Sequence, residues 1–103
     1  MGNLGNGAYP THPGEVLKDE IESRGITQRK LAESMELTYS VVNEILNARR
    51  PLTAKTALMF EAALGVPADS LMYLQSKYNM QMARADKSFN GLLKSIRKIA
   101  AVL

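Results

Sequence analysis

Residues 27–47 read TQRKLAESMELTYSVVNEILN, and their spacing decides the fold. A threonine opens each half: the hydroxyls of Thr27 and Thr38 are placed to accept from backbone N–H groups one turn further on. Helices are therefore predicted from about 28 to 36 and from about 39 to 47, with only Leu37 and its neighbours between them. Two short helices joined so tightly can present the second to a DNA major groove, provided that apolar residues lock both at a fixed angle against a third. Leu31, Met35, Leu37, Val42 and Ile45 supply that apolar set, and Ala32 is small where the two helices approach. In the second helix Val42, Ile45 and Leu46 point inward, which leaves Ser40, Asn43, Glu44 and Asn47 on the outward arc with Tyr39 at its edge. Such polar side chains can reach base edges. The plain alternative is a small helical bundle with a solvated polar face.

Outward from this stretch, the chain punctuates itself into further helices. Pro13 suits a first helical position and Gly25 a left-handed end, giving a helix from about 13 to 24 with Leu17 and Ile21 on one face and Glu15, Asp19 and Glu22 opposite. Pro51 stops the helix that follows Thr38; Thr53 caps another and Gly65 closes it. A fifth is expected from about Ala68 to Ala83, with Leu71, Leu74, Tyr78 and Met82 on one stripe. A sixth, over 89–103, puts Phe89, Leu92, Leu93, Ile96, Ile99, Ala100 and Leu103 on one arc and Lys94, Arg97 and Lys98 opposite. No segment alternates in the strand pattern, so the fold class is all-α. Residues 1–12, with three Gly and two Asn, read as a flexible arm, 13–83 as the principal domain and 84–103 as a basic amphipathic C-terminal extension.

The chain has 103 residues, one domain's worth, with 46% hydrophobic and 22% charged residues, so wholesale disorder is not expected. Its net charge of +3 conceals a change of sign along the chain. Residues 1–23 carry one base and four acids, 24–55 six bases and three acids, 56–83 one base and two acids, and 84–103 five bases and one acid. Separate acidic and basic zones can meet two different partners, one of them nucleic acid, or can simply be solvated. Cysteine is absent, which removes disulfides, zinc thiolate sites and thiol nucleophiles and is compatible with a cytoplasmic setting. There is no apolar run long enough to span a bilayer and no pattern of a secretory signal. A single histidine, no Ser/His/Asp constellation and no Gly-rich phosphate loop leave no basis for an enzyme, a metal site or a cofactor. His12 reads as a helix-start residue, and the six methionines as core filling.

Four short motifs are linked in order: His12-Pro13-Gly14-Glu15-Val16-Leu17, Gly25-Ile26-Thr27-Gln28, Asn43-Glu44-Ile45-Leu46-Asn47 and Arg50-Pro51-Leu52-Thr53. Together, over about residues 12–78, they resemble the HigA/VapI-type antitoxins of the XRE helix-turn-helix superfamily. The resemblance implies a five- to six-helix lambda-repressor-like DNA-binding domain. It also implies a small antitoxin, usually dimeric, that binds its own operator and neutralises a HigB-type toxin, a messenger-RNA-cleaving ribonuclease of the RelE kind. The runner-up is a stand-alone XRE-family repressor without a toxin, and a different class is a protein-interaction adaptor that has lost DNA binding. The sequence departs from the pattern where Glu36 and Ala48 replace frequent glycines, so each must adopt or avoid a left-handed backbone at some cost. Val41 and Leu71 depart as well, standing for a polar residue and a tryptophan.

Roles follow from chemistry and position. Asn43 is the first candidate base reader, because its amide can donate to and accept from adenine together; Ser40, Asn47 and Tyr39 accompany it. Glu44 can accept from a cytosine amine or repel wrong sites. Gln28, Thr38, Arg49, Arg50 and Lys55 are the phosphate candidates, the plain alternative for each being an exposed polar residue. Glu15, Asp19 and Glu22 form an acidic strip that a basic toxin could meet, or one that is merely solvated. Leu71, Leu74 and Tyr78 with Phe89, Leu92 and Ile96 offer a homodimer surface, in competition with a last helix that folds back on its own protomer or lies on an anionic membrane.

Overall fold

Threonine hydroxyls start three of the helices. Thr27 Oγ1 accepts from the Lys30 N–H at 3.1 Å, Thr38 Oγ1 from Val41 at 3.2 Å and Thr53 Oγ1 from Thr56 at 3.3 Å, each cap contributing about 1 kcal/mol. The computed structural model describes residues 10–103. They form six helices and no strand: α1 Pro13–Ser23, α2 Gln28–Met35, α3 Tyr39–Leu46, α4 Ala54–Leu64, α5 Ala68–Ala85 and α6 Lys87–Ala100. The last begins two residues before the expected start, because the Asp86 carboxylate accepts from the Phe89 N–H at 3.1 Å and caps it there. One compact unit spans residues 11–76 and a second takes in 77–103.

His12 caps α1 with its ring: Nδ1 accepts from the Gly14 N–H at 2.9 Å, and the Glu15 carboxylate accepts from the His12 N–H at 3.4 Å. This reciprocal box makes His12 part of the folded unit, 1% exposed: it is the helix-start residue that the sequence suggests, and its place at the end of the arm over 1–12 is corrected. The rest of that arm, residues 1–9, lies outside the described residues.

The ends of α1, α2 and α3 share one device. In each, a left-handed residue lets two successive N–H groups turn back onto the last turn: Gly25 and Ile26 onto Glu22 and Ile21, Glu36 and Leu37 onto Glu33 and Ala32, Ala48 and Arg49 onto Ile45 and Glu44. Gly25 takes φ +67° without strain, but Glu36 at +55° and Ala48 at +60° are strained by their Cβ atoms. Glu36→Gly and Ala48→Gly are therefore expected to raise stability by about 0.5–1 kcal/mol each, strain relief exceeding the entropy lost by glycine. Urea unfolding of both variants checks this.

The core of the 11–76 unit unites Leu17 and Ile21 of α1, Leu31, Ala32 and Met35 of α2, Val42, Ile45 and Leu46 of α3, and Phe60 of α4. Leu71 belongs to it too, at 1% exposure. The buried positions of α5 are Ala68, Leu71 and Gln75, a phase different from the expected stripe of Leu71, Leu74, Tyr78 and Met82. Leu71 is thus consumed by its own protomer and is withdrawn from the dimer candidates; Leu74 and Tyr78 are half-buried and Met82 is exposed. The methionines likewise are not all core: Met35 is buried, Met59 and Met72 pack partly against the core, and Met80 and Met82 face outward.

Candidate nucleic-acid interface

Two helices hold α3 in place, and a third pins the loop that follows it. Against α1 it comes so close that a Cβ at Gly14 would lie 1.9 Å from the Ile45 carbonyl oxygen, so only glycine fits. Lys18, also on α1, donates from Nζ to Asn47 Oδ1 at 3.2 Å, and Asn47 in turn donates to the Asn43 carbonyl at 2.8 Å. From α2, Gln28 Oε1 accepts from Asn43 Nδ2 at 2.8 Å. Beyond α3, the buried Gln75 side chain accepts from the Leu52 N–H at 2.7 Å and pins the loop that carries Arg49 and Arg50.

The inward set is as expected: Val42, Ile45 and Leu46 are buried. On the other arc Tyr39 is 44% exposed and Ser40 is exposed, while Asn43, Glu44 and Asn47 are half-buried. Arg49 donates from Nη2 to Asn43 Oδ1 at 3.2 Å, so both ends of the Asn43 amide are engaged. Arg50 pairs with Glu44, Nη2 to Oε1 at 2.7 Å, an exposed contact that costs little to exchange for another anion. The Arg29 guanidinium lies 5.1 Å from the centroid of the Tyr39 ring, at the other end of the arc. Thr38 commits its hydroxyl to its cap, and Lys55 is exposed in the first turn of α4. The result is a polar strip with Arg29, Lys18, Arg49 and Arg50 around it, fitted to an anionic partner with readable edges.

Lys18, Arg29 and Gln75 were missed by sequence reasoning. Lys18 sat among the acids of α1, and Arg29 beside the more suggestive Gln28. Gln75 carried a signal, since it stands four residues after Leu71 on a helical face.

The acidic strip splits in two: Glu15 is half-buried and occupied with the His12 cap, whereas Asp19 and Glu22 are exposed. Phe89, Leu92 and Ile96 of α6 are 40%, 53% and 50% exposed. Among the described residues no cluster of three or more His, Asp or Glu side chains could hold a metal ion, and no helix is long and apolar enough to cross a membrane.

Burial holds the His12 imidazole below its usual pKa of 6.5, although the Glu15 carboxylate and the backbone of Arg50 favour its charged form. The neutral ring is also the one whose Nδ1 can accept from Gly14. The unfolded chain therefore binds the proton first as pH falls, so this contribution to stability is complete above 6.5 and is lost as pH drops from there through the lower folded value. A series of urea titrations from about pH 7.5 to 5 should show stability declining below 6.5, and His12→Asn, a cap that does not titrate, should lessen that decline.

A helix-turn-helix family model matches residues 17–71. Virulence-associated protein I of Dichelobacter nodosus is 36% identical over 77 residues, covering 74% of this chain and 71% of that protein. The Pseudomonas aeruginosa antitoxin HigA, solved with the higBA promoter, is 32% identical with a TM-score of 0.70, over 74% of this chain and 84% of that one. An addiction module antidote protein of the HigA family from Coxiella burnetii is 32% identical with a TM-score of 0.67, over 91% of this chain and 95% of that one.

Proposed function

This chain belongs to the helix-turn-helix family, of the XRE type, with HigA antitoxins among its structural neighbours, and from that membership we propose that it is an antitoxin that binds operator DNA through α3 and neutralises a HigB-type ribonuclease toxin by protein binding. The observation that carries the DNA half is the outward arc of α3, held by α1 and α2 and bordered by Arg29, Lys18, Arg49 and Arg50. In this reading Tyr39, Ser40, Asn43, Glu44 and Asn47 face base edges, and Gln28, Arg49, Arg50, Lys55 and the Thr38 backbone face phosphates. The protein does no chemistry of its own and works in the cytoplasm, where the operator is.

The toxin would meet the exposed acids of α1, Asp19 and Glu22, on a face whose charge is opposite to that of a basic ribonuclease. Two copies would act together, because two-fold operators call for recognition helices about 34 Å apart. The exposed Phe89, Leu92 and Ile96 of α6, with Leu74 and Tyr78 of α5, supply apolar surface for that pairing. Co-expression with the product of the neighbouring gene, followed by light scattering of the purified material, tests both halves of the assembly. A complex with two copies of this chain is expected, and Asp19→Lys with Glu22→Lys should slow association about tenfold while sparing DNA binding. A protein that purifies alone and still binds its promoter would be a stand-alone repressor instead.

A further inference from the structure

Asn43 stands in the middle of the recognition helix, where an asparagine amide is usually credited with reading adenine through its oxygen and nitrogen together. Here both atoms already have partners on elements outside α3: Nδ2 donates to Gln28 Oε1 at 2.8 Å and Oδ1 accepts from Arg49 Nη2 at 3.2 Å. The orientation of the amide follows from chemistry alone. A guanidinium only donates, so the oxygen of Asn43 must face Arg49 and its nitrogen must face Gln28. Gln28, the first residue of α2, then presents its carbonyl oxygen to Asn43, which leaves its amide N–H groups for another acceptor. Asn43 is also half-buried, whereas Tyr39 and Ser40, one turn earlier, are exposed.

We propose that Asn43 is a positioning residue: it reads no base, but holds Gln28 and Arg49, which flank α3, in the orientation in which both bind DNA phosphates. The inference rests on the DNA-binding reading given above and changes what Asn43 does within it. Base discrimination then falls to Tyr39, Ser40, Glu44 and Asn47, and Asn43 contributes equally to every sequence.

The test starts from a duplex that the wild-type chain selects from a random-sequence pool. Affinities of wild type, Asn43→Ala, Arg49→Ala and the double variant are measured by fluorescence anisotropy over a salt series, against that duplex and every single-base-pair change in it. Alanine is a better helix former than asparagine, so the variant keeps α3, and its melting temperature is recorded as a control. Asn43→Ala is expected to lose about fivefold to tenfold alike on every duplex, the effect of removing one or two hydrogen bonds to phosphate ligands. The salt slope should become shallower by about one unit, the change expected when one phosphate is no longer neutralised. Added to Arg49→Ala, it should cost clearly less than it does alone, because only the share that runs through Gln28 remains to be lost. A merely structural role would leave the slope and the coupling unmoved, and so would overturn the proposal. A loss confined to one base pair would also overturn it and make Asn43 a base reader. In the free wild-type protein, nuclear Overhauser contacts between the Asn43 and Gln28 side-chain amides are expected, and their absence would count against the arrangement independently of DNA. If the wild-type chain selects no duplex, the DNA-binding reading itself fails and takes the proposal with it.

Discussion

Gly14→Ala is expected to lower the unfolding free energy by about 3 kcal/mol or more, the extreme end of what overpacking does. The new Cβ would stand 1.9 Å from the Ile45 carbonyl oxygen, 2.9 Å from its carbon and 3.0 Å from His12 Nδ1. The first two are backbone atoms of α3, so no rotamer change relieves the clash. Relief requires α1 to move away from α3, which separates Leu17 from Ile45 in the core and disturbs the cap on which α1 starts. The gain of about 1 kcal/mol from replacing a helical glycine by alanine is too small to compensate. Gly91→Ala is the matched control, since it lies within α6 with nothing within 4 Å of the added Cβ, and it should not destabilise. Urea unfolding decides: a Gly14→Ala midpoint close to wild type would mean that α1 and α3 are not in the contact described.

The second large effect concerns affinity. Arg49→Ala combined with Arg50→Ala should weaken DNA binding about 25-fold at about 0.15 M salt and make the salt slope shallower by about two units, as two phosphate contacts would. Arg50 is held by Glu44 in an exposed pair, with side chains 47% and 40% accessible, so exchanging the carboxylate for a phosphate costs little. Once Arg50 is gone, Glu44 is left as an uncompensated anion on the outward arc of α3, which should add to the loss. Anisotropy titrations from about 0.05 to 0.3 M salt measure both quantities, and an unchanged slope would remove the two arginines from the phosphate contacts.

Much of the fold was legible because helix ends are written locally. Thr27, Thr38 and Thr53 each bind an N–H three residues on, and the departures at Glu36 and Ala48 mark where the backbone is left-handed. What failed were quantities set between elements. Gly14 was legible as part of a motif, but its reason is a distance to α3 that no periodicity contains. The phase of α5 differs from its sequence pattern because Leu74, Tyr78 and Met82 look more core-like than Gln75, yet the loop N–H of Leu52 needs an acceptor and Gln75 supplies it. At the site, helical spacing gave the outward arc of α3 correctly. It could not tell an exposed side chain such as Ser40 from Asn43, whose neighbours come from α2 and from the loop after α3.

In the proposed function α3, with the turns before and after it, is the face that meets DNA. Backbone amide shifts of the isotope-labelled protein, followed while a selected duplex is titrated in, test it most directly. Changes are expected at residues 28–30 and 38–50, with α4 beyond its first turn left quiet; changes confined to α4, α5 and α6 would contradict it.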